Sequence, residues 1–256
     1  MKIFNTHSHL QDKDDLEIKN ILEITKEYNV SDICVIGYDF NSSKRALEVA
    51  RQYPNIYAVC GLQPEEVSDF DGNFDKFIEL FDDEKCVCIG EIGLDYYYGK
   101  ETKDKQLECF EKQLQIACNY KKPIEIHCRD AYEDTYNLLA KYKDRLDGII
   151  MHCYSGSKEM AQRFLKLGAY LSISGVVTFK NAKEIKDVVL MCPIDRLLVE
   201  TDDPYLTPVP FRGKENNPAY VYYVVKEIAN LKQMDEQEVA SITYANAKKV
   251  FHLWKR

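Results

Sequence analysis

The chain has 256 residues, 45% hydrophobic and 30% charged, with only 11 glycines and 8 prolines; this globular balance excludes disordered, collagen-like and low-complexity classes. Its 34 Lys and Arg against 42 Asp and Glu give a net charge of −8. That field repels phosphate and excludes a general nucleic-acid or membrane coat, though a local basic groove or bound metal ions can reverse the sign at one site.

In chain order, a short apolar start at 2–5 leads into a helix at 14–29, where Leu16, Ile18, Ile21, Leu22 and Ile24 fall at helical spacing. A strand at 33–36 precedes a helix at 42–52 with Asn41 or Ser42 as its cap. Strand 56–60 pairs with helix 74–82, strand 86–91 with helix 102–120, and strand 123–126 with helix 131–142. Strand 148–151 is followed by helix 158–167, strand 170–173 by helix 182–190, and strand 196–200 by two helices, 218–229 and 235–251.

Eight strands alternating with helices over roughly 250 residues predict an α/β fold, the (β/α)8 TIM barrel. The competing doubly wound sheet would carry a Gly-rich turn after its first strand, and none is present. No linker, repeat or composition break divides residues 1–256, so a single domain is expected. Nine cysteines, an odd number without a Cys-x-x-Cys, read as reduced and mostly buried thiols. Cys86 and Cys88 are expected on one face of a strand. No apolar run reaches the roughly 18 residues of a membrane span, and the start Met1-Lys2-Ile3-Phe4-Asn5 lacks a signal-peptide core, so a cytoplasmic location is expected.

Four of the five histidines follow the ends of predicted strands: His7 and His9 the first, His127 the fifth, His152 the sixth. Barrel enzymes keep their active sites at that end. The i, i+2 spacing of His7 and His9 puts two imidazoles on one face of an extended segment, close enough to share a metal at about 2.0–2.1 Å. The blander alternative is two unrelated loop histidines. Glu91, between Gly90 and Gly93, ends the fourth strand, and Asp202 ends the eighth. An acid appended to an apolar strand is costly unless paired, and a divalent cation would pair it. Singly, each could instead be a helix cap or a surface acid. His252 is assigned no function.

These residues sit in segments that closely resemble one family, the TatD-like metal-dependent deoxyribonucleases of the amidohydrolase-type barrels. The segments are Asn5-Thr6-His7-Ser8-His9-Leu10, Gly90-Glu91-Ile92-Gly93-Leu94-Asp95-Tyr96, Ile126-His127-Cys128-Arg129-Asp130-Ala131, His152-Cys153-Tyr154-Ser155-Gly156 and Glu200-Thr201-Asp202-Asp203-Pro204-Tyr205-Leu206. Arg212-Gly213-Lys214, Asn217-Pro218 and Asn246-Ala247-Lys248 also match, so the resemblance runs from the first strand to the last helix. It implies a divalent-metal-dependent deoxyribonuclease holding two ions. His7, His9, Glu91 and Asp202 would hold one; Glu91, His127 and His152 would hold the other, with Glu91 bridging. Mixed imidazole and carboxylate ligands suit Zn²⁺, Mn²⁺ or Ni²⁺, while the family's use of Mg²⁺ keeps that ion open.

The expected chemistry is metal-assisted phosphodiester hydrolysis, with Asp202 and Glu91 the catalytic carboxylates and Asp202, rather than Asp203, taking the proton of the attacking water. Arg129, Arg212 and Lys214 are the candidate phosphate contacts. Tyr96, Tyr97, Tyr98, Tyr154, Tyr205 and Phe211 offer faces for unpaired bases, which favours single strands or frayed ends over intact duplex; action as an exonuclease is the expectation, with internal cutting left open by the sequence. No membrane contact and no obligate protein partner are expected. Two departures from the family pattern stand out. Gln63, in Gly61-Leu62-Gln63-Pro64, replaces a histidine and cannot titrate near neutral pH; activity survives if the position only orients the phosphate, and falls about 10²–10⁴-fold or is rerouted if it transfers a proton. Asn5 replaces an aspartate, and is expected to accept from a histidine N–H without charge. The alternatives are a metal-dependent hydrolase of a small phosphoester, amide or lactone, or a metal-binding homologue without catalysis.

Overall fold

The computed structural model describes residues 1–255. Eight parallel strands form one sheet in sequence order: β1 (Ile3–Ser8), β2 (Val30–Ile36), β3 (Ile56–Cys60), β4 (Cys86–Asp95), β5 (Ile124–Arg129), β6 (Ile149–Met151), β7 (Tyr170–Ile173) and β8 (Leu197–Val199). Parallel neighbours need a crossover, and helices supply each one. These are α1 (Asp15–Glu27), α2 (Phe40–Gln52), α3 (Asp75–Phe81), α4 (Lys103–Tyr120), α5 (Tyr132–Tyr142), α6 (Lys158–Lys166) and α7 (Lys183–Met191). Two more, α8 (Val221–Lys232) and α9 (Glu236–Val250), follow β8. The sheet comes round on itself: the Thr6 hydroxyl donates to Val199 O at 3.2 Å, Asp202 N–H to His7 O at 3.2 Å and His9 N–H to Asp203 O at 3.3 Å. The expected barrel is what the chain forms, and no helix among the described residues is long and apolar enough to cross a membrane.

Helix starts follow local chemistry. Asp14 caps α1 by accepting from Leu16 and Glu17 N–H, while Asp14 N–H donates to the Glu17 carboxylate. α2 begins earlier than expected because Asp39, not Asn41 or Ser42, is its cap, with Ser42 completing the reciprocal pair. Strand side chains alternate between two apolar clusters. Ile33 and Val35 pack outward under the helices, whereas Cys34 and Ile36 join Phe4, Val59, Ile150 and Leu198 in the inner cluster. Ala247 and Val250 of α9, with Phe251 just after it, join that cluster. Asn246 donates to Ile194 O and Leu197 O, and Lys248 pairs with buried Asp32 at 2.9 Å, so the closing Asn246-Ala247-Lys248 segment holds α9 to the barrel.

Two register slips shape the strands that carry the candidate ligands. Asn5 opposes Ile33 and Ser8 opposes Val35, so β1 carries one extra residue around Thr6 and His7. Ile89 opposes Ile124 and Ile92 opposes Ile126, which puts an extra residue around Gly90 and Glu91. Such bulges re-aim side chains, and both fall at candidate ligands. A third slip corrects an expectation: Ala58 opposes Cys86 while Val59 opposes Cys88, and the two cysteines join different clusters rather than one face. All nine cysteines are free thiols, six of them buried.

Candidate metal centre

Both bulged strands run further than hydropathy suggested. β1 continues through Asn5, Thr6, His7 and Ser8, all buried although polar, and β4 continues past Glu91 to Asp95. Gly93 allows the latter: a Cβ there would lie 2.0 Å from His127 O, so only glycine lets β4 and β5 meet at this point. One at Gly90 would lie 2.8 Å from the Glu125 side chain.

The six candidate ligands converge. His7 Nε2 and His9 Nε2 are 3.3 Å apart, as the i, i+2 spacing predicted. Asp202 Oδ1 lies 3.6 Å from His7 Nε2, 3.5 Å from His9 Nε2 and 3.9 Å from His152 Nε2. Glu91 stands between two groups: Oε2 is 3.9 Å from His7 Nε2, while Oε1 is 2.8 Å from His127 Nδ1 and 3.8 Å from His152 Nε2. The His7 and His152 rings stack with centroids 3.5 Å apart.

Behind each imidazole sits a polar group that sequence reasoning missed. Glu125 Oε1 is 2.9 Å from His7 Nδ1, Glu200 Oε1 is 2.9 Å from His152 Nδ1, and Asp95 Oδ2 is 2.9 Å from His127 Nε2. Gln11 Nε2 is 3.1 Å from His9 Nδ1. Such partners orient the rings. They leave Nε2 of His7, His9 and His152, but Nδ1 of His127, facing the shared space. The available signal was an acid interrupting an apolar run: Glu125 lies inside β5, and Glu200 follows β8 directly.

Charge follows this arrangement. Burial pushes Glu125 well above the carboxylate range and His7 well below 6.5, with the neighbouring His152, His9 and His127 adding to the fall. Burial opposes charge on His127 too, but its bonds to Asp95 and Glu91 win and lift it to about 9. Glu91, despite its burial, is held down at about 2 by His127 and the other imidazoles. Glu200 and Asp202 raise His152 against burial.

The residues fit a metal centre. Among the described residues, the buried side-chain nitrogens and oxygens without a hydrogen-bond partner are Gln11 Oε1, Glu125 Oε2, His152 Nδ1 and Glu200 Oε2, all in this cluster. His152 Nδ1 is near Glu200 but out of line with it, and Glu200 Oε1 accepts instead from Cys153 N–H at 2.9 Å. Turning the Gln11 amide over would bring its orphan oxygen to His9 Nδ1–H and free the Nε2 lone pair that a metal needs. Borderline imidazole nitrogens and hard carboxylate oxygens together suit first-row divalent ions.

The remaining candidates divide. Arg129 lies at the end of β5 with its guanidinium 4.0 Å and 4.7 Å over the Tyr97 and Tyr98 rings. Arg212, on the long connection after β8, lies 4.2 Å over Phe179, and Lys214 lies 5.8 Å over Phe211. Gln63 follows β3, half-buried, its N–H donating to Tyr38 O at 2.8 Å. Tyr205 is exposed, and Phe211 stacks on Tyr220 at 4.4 Å. Tyr154 does not reach the open site: it is 4% exposed, packs on Tyr132 and Phe164, and spends its hydroxyl on Ser157 O, so it has no face for a base. Asn5 does not hold a histidine ring either. It grips the β8 end, donating to Thr201 Oγ1 at 2.7 Å and accepting from Thr201 N–H at 3.1 Å. Asp203 is turned away and buried, accepting from Ser8 at 3.1 Å and Thr201 at 2.5 Å, and burial raises it to about 6. His252 is far along the chain, beside Asp147 at 2.9 Å.

A parallel barrel whose strand ends gather four imidazoles and two carboxylates defines a metal-dependent hydrolase. The comparisons agree and are more specific. The TatD-related DNase family model matches residues 4–252, and the chain belongs to that family. It is 46% identical over 253 residues to the uncharacterized metal-dependent hydrolase YabD of Bacillus subtilis, covering 98% of this chain and 99% of that protein. It is 35% identical over 231 residues, 88% of each chain, to the 3'-5' ssDNA/RNA exonuclease TatD of Salmonella typhimurium. The crystal structure of YJJV, a TatD homologue from Escherichia coli, superposes with a TM-score of 0.91 at 26% identity over 98% of both chains.

Proposed function

We propose that this hydrolase is a deoxyribonuclease that binds two divalent ions and trims single-stranded or frayed DNA ends. The observation that carries the reading is the position of Glu91, one oxygen turned to His7 and the other to His127 and His152. In this reading His7, His9, Glu91 and Asp202 hold one ion, and Glu91, His127 and His152 the other. Ions so held would supply Lewis acidity to a phosphate oxygen and acidify a water.

The protein's part is positioning and proton transfer. Asp202 Oδ1 faces three imidazoles, which leaves Oδ2 to take the proton of the attacking water. Asp203 is unsuited to that role because Ser8 and Thr201 occupy both its oxygens. Arg129, at the end of β5, and Gln63, just after β3, would orient the phosphodiester; Arg212 and Lys214, on the connection after β8, would take a further phosphate. The named activity of the Salmonella relative supports end-wise attack on single strands.

Elemental analysis of purified protein, with a time course on end-labelled single-stranded DNA, tests the reading. Two equivalents of divalent ion and stepwise shortening from one end are expected. Hydrolysis of nucleotides or lactones with none of oligonucleotides would replace DNA by a small ester as substrate, and metal-loaded protein inert on all of them would refute catalysis.

A further inference from the structure

The segment after β4 reads Asp95-Tyr96-Tyr97-Tyr98-Gly99, and its turn is pinned at both ends. Asp95 Oδ1 accepts from Tyr97 N–H at 2.8 Å and Tyr98 N–H at 2.7 Å. From α4, the Gln106 amide accepts from Asp95 N–H at 2.9 Å and donates to Asp95 O at 2.9 Å and Gly99 O at 2.8 Å. A Cβ at Gly99 would lie 2.2 Å from that amide, so Gln106 can approach the turn this closely only because residue 99 is glycine.

This fixed turn holds out two large rings that it does not bury. Tyr97 is 58% exposed and Tyr98 65%, set edge-to-face at 4.7 Å. Tyr96 is spent inside the fold, its hydroxyl on Asp134 at 2.8 Å and its ring under Lys103. Arg129, which opposes Asp95 in the β4–β5 register, covers both exposed rings and makes no ion pair among the described residues. A rigid aromatic pair with an uncompensated guanidinium matches the two faces of a nucleotide, a flat base and an anionic phosphate. The other oxygen of Asp95 lies 2.9 Å from His127 Nε2, so one carboxylate fixes the rings relative to the candidate metal centre.

We propose that Tyr97, Tyr98 and Arg129 form a subsite that stacks an unpaired nucleobase beside the phosphate to be cut. The proposal rests on the nuclease reading and adds to it the source of single-strand preference: a base inside a duplex has both faces occupied and cannot enter the subsite.

The test is a cycle between protein and substrate. kcat/KM is measured on a single-stranded tetranucleotide and on the same chain with abasic sites at its end, for the native protein and for Tyr97→Ala/Tyr98→Ala. Equilibrium binding of both oligonucleotides in EDTA gives a readout independent of cleavage. The native protein is expected to lose about 10- to 100-fold on the abasic chain, and the double variant to lose no more than about 2-fold. Tyr97→Phe/Tyr98→Phe should restore the native penalty, because the ring and not the hydroxyl stacks. Metal content of the alanine variant should match the native protein, since Asp95 grips backbone N–H groups there. An equal abasic penalty in native and alanine proteins would overturn the subsite, as would a variant whose loss is explained by lost metal. If the native protein binds but does not cut DNA, the nuclease reading fails while the binding arm still decides the subsite; tyrosines serving a protein partner would show no abasic penalty at all.

Discussion

In an Asp95→Asn protein, a carboxylate with three donors around it becomes an amide with one acceptor oxygen. Those donors are Tyr97 N–H, Tyr98 N–H and the His127 ring at Nε2. If the amide oxygen stays with the two backbone groups, its NH2 faces His127 Nε2 and forces that nitrogen to accept. The ring proton then moves to Nδ1, the atom 2.8 Å from Glu91 Oε1 and the one turned toward the candidate ion. If the amide turns over, His127 keeps its useful tautomer but two backbone donors lose their acceptor, at about 1–3 kcal/mol for a buried group. Either way, binding at the His127 position carries a penalty of at least that order. At 1.4 kcal/mol per decade this is about 10- to 100-fold in affinity, the range typical for loss of a carboxylate behind a metal-bound histidine.

Calorimetric titration of metal-free protein with Mn²⁺ or Zn²⁺, alongside a chelator competition, reads that penalty. Two binding steps are expected in the native protein, with only one weakened in Asp95→Asn, and kcat should recover at saturating metal because no proposed ligand has been removed. Native affinity at both steps would refute the coupling between Asp95 and the centre. A loss of kcat that excess metal does not restore would refute the assignment of His127 Nδ1 as ligand.

Asp202→Asn should lower kcat by about 10²–10⁴-fold at saturating metal, measured on labelled oligonucleotide; retained turnover would exclude Asp202 as the base. In metal-free protein His127 is raised to about 9, so at pH 7 its ring carries a proton that an incoming ion must displace. Calorimetry in buffers of different ionisation enthalpy should therefore show release of at least about one proton at pH 7, falling away as pH rises through 9. The same ring stabilises the metal-free fold fully below 6.5, and that contribution is lost as pH rises through about 9, which urea midpoints across the range would register. Lys248→Met leaves Asp32 buried with Tyr244 as its nearest donor, at 2.8 Å, and should cost about 1–3 kcal/mol in urea unfolding without altering metal content.

The barrel was legible because its crossovers repeat a strong pattern, short β-branched runs followed by helical spacing, and because no turn suited to a nucleotide interrupts the first unit. Ligand candidates were legible for a related reason: a histidine or acid at the end of an apolar run breaks the pattern where it would be expensive to break without a purpose. The strand extents were not. Asn5 to Ser8 are polar yet buried, held by cross-barrel bonds such as Asn5 to Thr201, and hydropathy cannot see a strand whose burial is compensated by partners 196 residues away. The groups behind the histidines were hidden by register. Glu125 precedes His127 by two positions and shares its face, yet it reaches across the barrel to His7, because one extra residue in β1 and another in β4 shift what lies opposite what. The aromatic faces were hidden by number. Among 18 tyrosines, only placement separates Tyr154, sealed between Tyr132 and Phe164, from Tyr97 and Tyr98, held in the open by a carboxylate that also steadies a histidine of the candidate centre. In the nuclease reading, that shared carboxylate would set the reach from stacked base to cut bond, so a substrate gripped at Tyr97 and Tyr98 should be cut at a constant offset from the gripped base, whatever its sequence.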